Sequence, residues 1–293
     1  MVPRSFRIRA NRLSHHVLEW NILASRGTLV LLHGYMDVAA TWDLVAPALA
    51  HAGFRVLAPD LRGFGDTDRV SPGGYYHFPD YVADLAGLLA HLAPREPVVL
   101  VGHSMGGTVA SLYAGTKPDD VRALALLEGL GPPTHTPAEA PERMRAWLDD
   151  LAAHEGRRET AMKDDAEALR RLARRHAAVP EAVLASRAAL LVRHLPDGSV
   201  VWAFDPLHRT RSPTPFYAEA YRAFAARVSC PVLYVSGGDA GWHPADEAER
   251  LAAFATLEQV TLAGAGHMMH WTAPDALSGA LLRFLDAAAP PPD

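Results

Sequence analysis

A chain of 293 residues with 49% hydrophobic content can bury a sizeable core, as one large domain or as a domain carrying an insertion. Charged residues make up 21% and the formal net charge is -5, which excludes the basic footprint that a nucleic-acid backbone demands. The single cysteine, Cys230, excludes an internal disulfide, and no apolar run approaches the roughly 18 residues of a membrane span.

From the amino terminus, MVPRSFRIRANRLSHH carries scattered arginines and no apolar segment of the kind a signal peptide needs, so a soluble, cytoplasmic protein is expected. Short apolar runs bounded by turn residues then recur at Thr28 to Leu32, Phe54 to Ala58, Pro97 to Val101, Ala123 to Leu127, Pro231 to Val235 and Leu257 to Leu262, each predicting a buried strand. Helical stretches at Trp42 to Ala52, Tyr81 to Leu92, Met105 to Thr116 and Asp246 to Ala255 lie between most of them. The alternation predicts an α/β class built of βαβ units around a mostly parallel sheet. Pro274 to Ala288 reads as a last amphipathic helix with Leu277, Leu281, Leu282 and Leu285 inward.

One segment breaks this rhythm. From Gly131 to about Arg227 the chain is first rich in proline, then in alanine, arginine and glutamate, with helical patterns over Pro141 to His154, Asp164 to His176 and Pro180 to Arg193 and an extended piece over Asp197 to Phe204. Met144, Trp147, Leu148, Leu169 and Leu172 fall at helical spacing, so the expectation is a core of residues 1–130 and 228–293 with an inserted helical cap over 131–227. The arginine pairs Arg157-Arg158, Arg170-Arg171 and Arg174-Arg175 read as solvated helix faces balanced by nearby acids.

The chemistry-bearing signal is Val98 to Gly107, VVLVGHSMGG, in which G-x-S-x-G follows a predicted strand and precedes a helix. A sharp turn there exposes the Ser104 hydroxyl, and Gly102 and Gly106 are needed because a Cβ at either would collide with neighbouring backbone. The helix start aims the Met105 N–H at the place where an oxyanion forms, and the loop Leu31 to Asp37, LLHGYMD, offers the Tyr35 N–H as a second donor beside Gly34. His33 reads as a brace for that loop. Late in the chain, GAGHMMHW places His267 on a loop after the last strand, as the general base for Ser104; His270 sits near a helix start and packs. A metal on the His267-x-x-His270 pair lacks a carboxylate or cysteine set to complete it, so none is expected.

Taken in order, His33-Gly34, Pro59-Asp60-Leu61-Arg62-Gly63-Phe64-Gly65, Gly102-His103-Ser104-Met105-Gly106-Gly107 and Gly266-His267 resemble the α/β-hydrolase superfamily over nearly the full chain. Within it, His33 to Asp37 and Leu127 to Pro133 look most like the serine hydrolase-like group and its bacterial relatives. The resemblance implies an α/β-hydrolase fold and a carboxylate that orients His267. In many such proteins it lies past the penultimate strand in Gly-x-x-Asp-x-x-x-Pro, where this chain has Ala240, with Asp239 one residue early. In haloalkane dehalogenases and serine hydrolase-like proteins it ends the strand beside the nucleophile strand, where this chain has Glu128. Glu128 is therefore the preferred acid and Asp239 the alternative.

The expected activity is hydrolysis of a carboxylic ester or related acyl bond of a small, partly apolar molecule, without cofactor or metal, with Trp147 and Phe78 as substrate-cavity candidates among aromatic residues that equally serve a core. Hydrolysis of a carbon–carbon bond, or perhydrolase or haloperoxidase chemistry, would use the same serine. A non-catalytic ligand-binding protein on this fold is the third reading.

Overall fold

In the central strands nearly every residue is apolar, and because successive side chains point to opposite faces, each strand must feed two cores. The computed structural model describes residues 1–94, 96–155 and 160–288. In chain order it contains β1 (Arg4–Ala10), β2 (Leu13–Trp20), β3 (Thr28–Leu32), α1 (Ala46–His51), β4 (Arg55–Pro59), α2 (Phe78–Leu92), β5 (Val98–His103), α3 (Met105–Thr116) and β6 (Val121–Leu127). It continues with α4 (Ala140–Glu155), α5 (Asp165–Arg175), α6 (Glu181–Leu190), β7 (Val192–His194), β8 (Val200–Trp202), α7 (Ala218–Ala225), β9 (Val232–Ser236), α8 (Glu247–Leu251), β10 (Leu257–Thr261), α9 (Met269–Thr272) and α10 (Pro274–Ala288).

Eight strands form one sheet in the order β1-β2-β4-β3-β5-β6-β9-β10, parallel from β4 to β10. Leu29, Leu31, Val99, Val101, Ala123 and Ala125 face one core with Leu49 of α1 and Leu281 and Leu285 of α10. Their neighbours Val30, Leu32, Leu100, Leu124 and Leu126 face the other, with Leu85 and Leu88 of α2, Val109 and Tyr113 of α3 and Tyr221 of α7. This is the mostly parallel sheet with helices on both faces that the alternating pattern predicts.

The amino terminus has no apolar run that predicts a strand, yet β1 and β2 form an antiparallel hairpin, with β2 antiparallel to β4. Its turn is Asn11-Arg12, with φ of 44° and 69°, the primed-turn geometry that matches strand twist. The predicted helix Trp42 to Ala52 is instead a 3-10 segment, Ala39–Leu44, followed by α1. Pro47, in the first turn of α1, has no N–H to donate to the Asp43 carbonyl, so an α-helical ladder cannot run through it from Trp42 and the helix starts afresh at Ala46. The end of the predicted helix Pro180 to Arg193 is strand β7, which pairs with β8 around a turn at Gly198, φ 84°.

Between β6 and α7 the chain leaves the sheet and lies over its carboxyl edge; α7, expected within the cap of residues 131–227, instead packs on α3 in the core, where the Tyr221 hydroxyl donates to Ser111 Oγ, so the core resumes before residue 228. Leu172, Leu184, Ala188 and Leu191 pack with Val38, Met268 and Trp271 of the core loops. Backbone hydrogen bonds from Gly65 N to the Ala203 carbonyl (2.6 Å) and from Asp205 N to the Gly63 carbonyl (2.7 Å) tie it down, as does the Arg187–Asp43 ion pair at 2.6 Å. Arg170 and Arg175 lie on α5, whereas the pair Arg157-Arg158 lies outside the described residues. No described helix is long and apolar enough to cross a membrane.

Candidate active site

The parallel strands deliver their carboxyl ends to one edge, and there β5 turns into α3 at Ser104, whose φ of 50° and ψ of -116° are costly for any residue with a Cβ. Such a conformation stores about 1–3 kcal/mol and survives only where the surroundings hold it. The hold is visible: Ser104 N donates to the Leu127 carbonyl at 2.9 Å, continuing the β5–β6 ladder through the turn. A Cβ on Gly102 would stand 2.5 Å from the Gly106 carbonyl oxygen, and one on Gly106 would stand 2.3 Å from that of Leu32, so strand, turn and helix close together only with glycine at both positions.

The β3 loop crosses directly above. A Cβ on Gly34 would lie 2.7 Å from His103 Nδ1 and 3.2 Å from Ser104 Cβ, so the backbone before Tyr35 runs against the serine. Among the described residues the N–H groups of Tyr35 and Met105 have no hydrogen-bond acceptor. His33 braces this loop: its Nε2 accepts from Leu61 N at 2.9 Å, which leaves Nδ1 to donate to the Gly34 carbonyl at 2.8 Å.

Glu128 follows β6 with a φ of 49°, in left-handed backbone like Ser104. Its buried carboxylate accepts from His267 Nδ1 at 2.6 Å, Gly237 N at 2.6 Å and Trp242 N at 2.7 Å. Burial works to raise its pKa, but these three donors outweigh it and hold the carboxyl below its usual range. With Nδ1 donating to Glu128, the imidazole keeps Nε2 as the nitrogen able to take a proton. Asp239 is exposed on the turn after β9 and lacks any hydrogen bond to His267. That turn approaches the histidine as the family pattern implies, but it contributes main-chain N–H groups to Glu128 in place of a carboxylate. Gly241 makes room, since a Cβ there would stand 2.0 Å from Glu128 Oε1.

Ser104, Met105, Tyr35, Glu128, His267 and Phe78 all line one cavity of about 510 Å³. Trp147 does not: it lies edge-on to Tyr75, ring centroids 5.1 Å apart, away from that wall. A helical apolar stripe shows which residues share a face but not what the face meets, which is why Trp147 looked like a cavity residue. His208, Arg175 and Trp242 line the cavity as well, and no local pattern marked them.

Behind the serine, His270 Nε2 donates to buried Asp37 at 2.9 Å, and His103 Nε2 meets the His267 carbonyl at 2.8 Å. The fold thus supplies a carboxylate beside His270 that was invisible in sequence: Asp37, His103 and His270 have ligand atoms within 4.8 Å of one another. Asp37 Oδ1 is engaged by Val38 N and the Thr41 hydroxyl, and Oδ2 by His270, so the carboxylate is held as a hydrogen-bonded brace, while Nδ1 of His103 and Nδ1 of His270 are buried with no hydrogen-bond partner among the described residues.

Burial lowers the pKa of His103 and His270, of His176 to about 4 and of His208 to about 3. A histidine whose folded pKa lies below its unfolded value binds fewer protons folded than unfolded between the two, so its contribution to stability is present above about pH 6.5 and is lost as pH falls toward the folded value. His16, raised by its hydrogen bond to Asp60, and His243, raised by the Gly238 carbonyl and Glu247, act in the opposite sense but are fewer and less buried. The thermal unfolding midpoint is therefore expected to fall steadily from pH 6.5 to pH 4.5. A calorimetric midpoint that stays flat over that interval would contradict these burials.

Comparison with known proteins gives a consistent family. The α/β hydrolase fold family profile matches residues 27–274. Epoxide hydrolase 2 of Siraitia grosvenorii is 34% identical over 143 residues, 49% of this chain, and the chain spans 44% of that protein's length. The sn-1-specific diacylglycerol lipase ABHD11 of Mus musculus is 29% identical over 282 residues, 92% of this chain and 85% of that one. A crystal structure of the hypothetical protein PA1622 from Pseudomonas aeruginosa PAO1 superposes with a TM-score of 0.84 at 25% identity, covering 97% of this chain and 98% of that one.

Proposed function

The chain belongs to the α/β hydrolase fold family, and from that premise we propose that it is a serine hydrolase cleaving a carboxylic ester, or a related acyl bond, of a small and partly apolar substrate. The observation that carries the reading is the Glu128–His267 hydrogen bond of 2.6 Å on the wall of the same cavity as Ser104. Ser104 Oγ attacks the acyl carbon while His267 Nε2 takes its proton; Glu128 fixes the tautomer and stabilises the imidazolium. The N–H groups of Tyr35 and Met105 receive the oxyanion. His267 then protonates the leaving alcohol, and water, activated by the same nitrogen, cleaves the acyl-enzyme. The segment between β6 and α7 acts as the cap that closes the cavity over the substrate, and Phe78 supplies part of its apolar wall.

Several relatives are epoxide hydrolases, and the nucleophile separates the two chemistries. An epoxide opened by a carboxylate gives an ester that water cleaves; opened by Ser104 it would give an ether that water leaves intact. With p-nitrophenyl acetate and butyrate, a burst of one phenolate per protein followed by steady turnover is expected, with no diol from styrene oxide. Diol formation without ester cleavage would overturn the proposal. Turnover of a vinylogous diketone in preference to esters would move the reaction to carbon–carbon hydrolysis on the same groups.

A further inference from the structure

Two charged side chains stand among the described residues that line the cavity, Glu128 and Arg175. Glu128 is the one carboxylate among its described lining residues, and both of its oxygens are already engaged, by His267 Nδ1, Gly237 N and Trp242 N. Arg175, at the end of α5, stands on the rim of the same cavity and also lines a second one of about 200 Å³. That second cavity is walled by Arg171, Arg175 and Arg209 together with apolar Leu172, Trp202 and Phe204, and no carboxylate lines it among the described residues.

Arg171 is matched by Glu167 one turn earlier on α5. Arg175 and Arg209 have no carboxylate partner among the described residues. The Arg175 guanidinium lies over the Tyr35 ring at 5.7 Å and touches Met36 Sδ, and that of Arg209 lies over the Phe204 ring at 5.4 Å. Both arginines are exposed at the cavity mouth; partial burial lowers the pKa of Arg175, Tyr35 works against that, and the charge of Arg209 adds to the lowering, so the two cations stand in each other's field. Arg209 also lines a neighbouring cavity of about 360 Å³ that holds Asp150 and Asp205, but Asp150 is engaged by Arg211 and Asp205 by the Tyr76 hydroxyl and Leu207 N, so neither pairs with Arg175 or Arg209, and two arginines stand beside the Tyr35 loop of a chain of net charge -5 without an ion-paired carboxylate.

We propose that Arg175 and Arg209 receive a carboxylate at the end of the substrate remote from the bond that is cleaved, so that the substrate class is the hemiester, or a related monoacyl derivative, of a dicarboxylic acid. The forked guanidinium matches a planar carboxylate in two parallel hydrogen bonds, and the apolar walls take the methylene chain between the two ends. The inference rests on Ser104 being the reacting group, and its test reads binding separately from hydrolysis.

Monomethyl glutarate and its neutral counterpart, dimethyl glutarate, are titrated calorimetrically into Ser104→Ala. The monoester is expected to bind about ten- to a hundredfold more tightly, as a charge-assisted pair allows. That preference should disappear in Ser104→Ala carrying Arg175→Gln or Arg209→Gln, and shrink in high salt. In otherwise unmodified protein, the ratio of kcat/KM for mono-p-nitrophenyl glutarate to that for p-nitrophenyl butyrate should fall by the same factor in either arginine variant, through KM, with partial recovery in Arg175→Lys. Equal binding of the two glutarate esters, or a preference that survives both arginine substitutions, would overturn the proposal. Failure of the serine reading would look different: neither nitrophenyl ester would turn over, while the calorimetric preference would still decide the arginine site.

Discussion

Ser104→Ala should lower the turnover of p-nitrophenyl butyrate by about a million-fold, the size of loss seen when a triad serine is removed from a hydrolase, while the protein still binds substrate and folds. Folding should survive because the Ser104 hydroxyl makes no hydrogen bond among the described residues, and the main-chain bond to Leu127 that holds the turn is kept. The backbone allows a second, sharper outcome. At φ 50° and ψ -116° the Cβ of residue 104 is a liability, so Ser104→Gly is expected to abolish turnover and at the same time raise the unfolding midpoint. Stability and activity would then be opposed at a single position, as a strained functional site requires. A Ser104→Ala protein that keeps even a hundredth of the normal rate would place the reacting group elsewhere.

Glu128→Gln should reduce kcat by about ten-thousandfold. The amide turns an NH2 toward His267 or loses the charge that stabilises the imidazolium; in the first case Nδ1 becomes the acceptor, Nε2 carries the proton, and the histidine can no longer act as base. Gly237 N and Trp242 N also donate to this side chain, so one amide nitrogen must face a donor, and some loss of stability should accompany the loss of rate. Asp239→Asn, by contrast, changes an exposed turn residue and should leave kcat within about twofold. Steady-state kinetics on both variants decide the matter: a near-normal Glu128→Gln together with a crippled Asp239→Asn would reverse the assignment of the acid.

Much of the fold was legible because its strands are buried on both faces and stand out as continuous apolar runs. The β1–β2 hairpin was not, since Arg4, Arg7, Arg9, Ser14 and His16 alternate with its apolar residues on an exposed sheet edge and look like a charged leader. Ser104 and His267 were legible from glycine-flanked loops after strands. Glu128 could only be weighed against Asp239, because the choice depends on how the turn after β9 folds back on β6, a contact between residues 109 and 114 positions apart. Arg175 is exposed, as the charged face of α5 predicts, but only the tertiary placement of that helix beside Tyr35 and Met36 sets the arginine at the mouth of a cavity.

The central claim is that Ser104 is a nucleophile activated by His267 and Glu128. A fluorophosphonate reports on that chemistry directly, because it reacts with a serine only where a base and oxyanion donors activate it. Folded protein treated with a fluorophosphonate and digested for mass spectrometry should carry one adduct, on Ser104, formed far more slowly in Glu128→Gln and not at all in heat-denatured protein. An unlabelled Ser104 in folded protein would contradict the account.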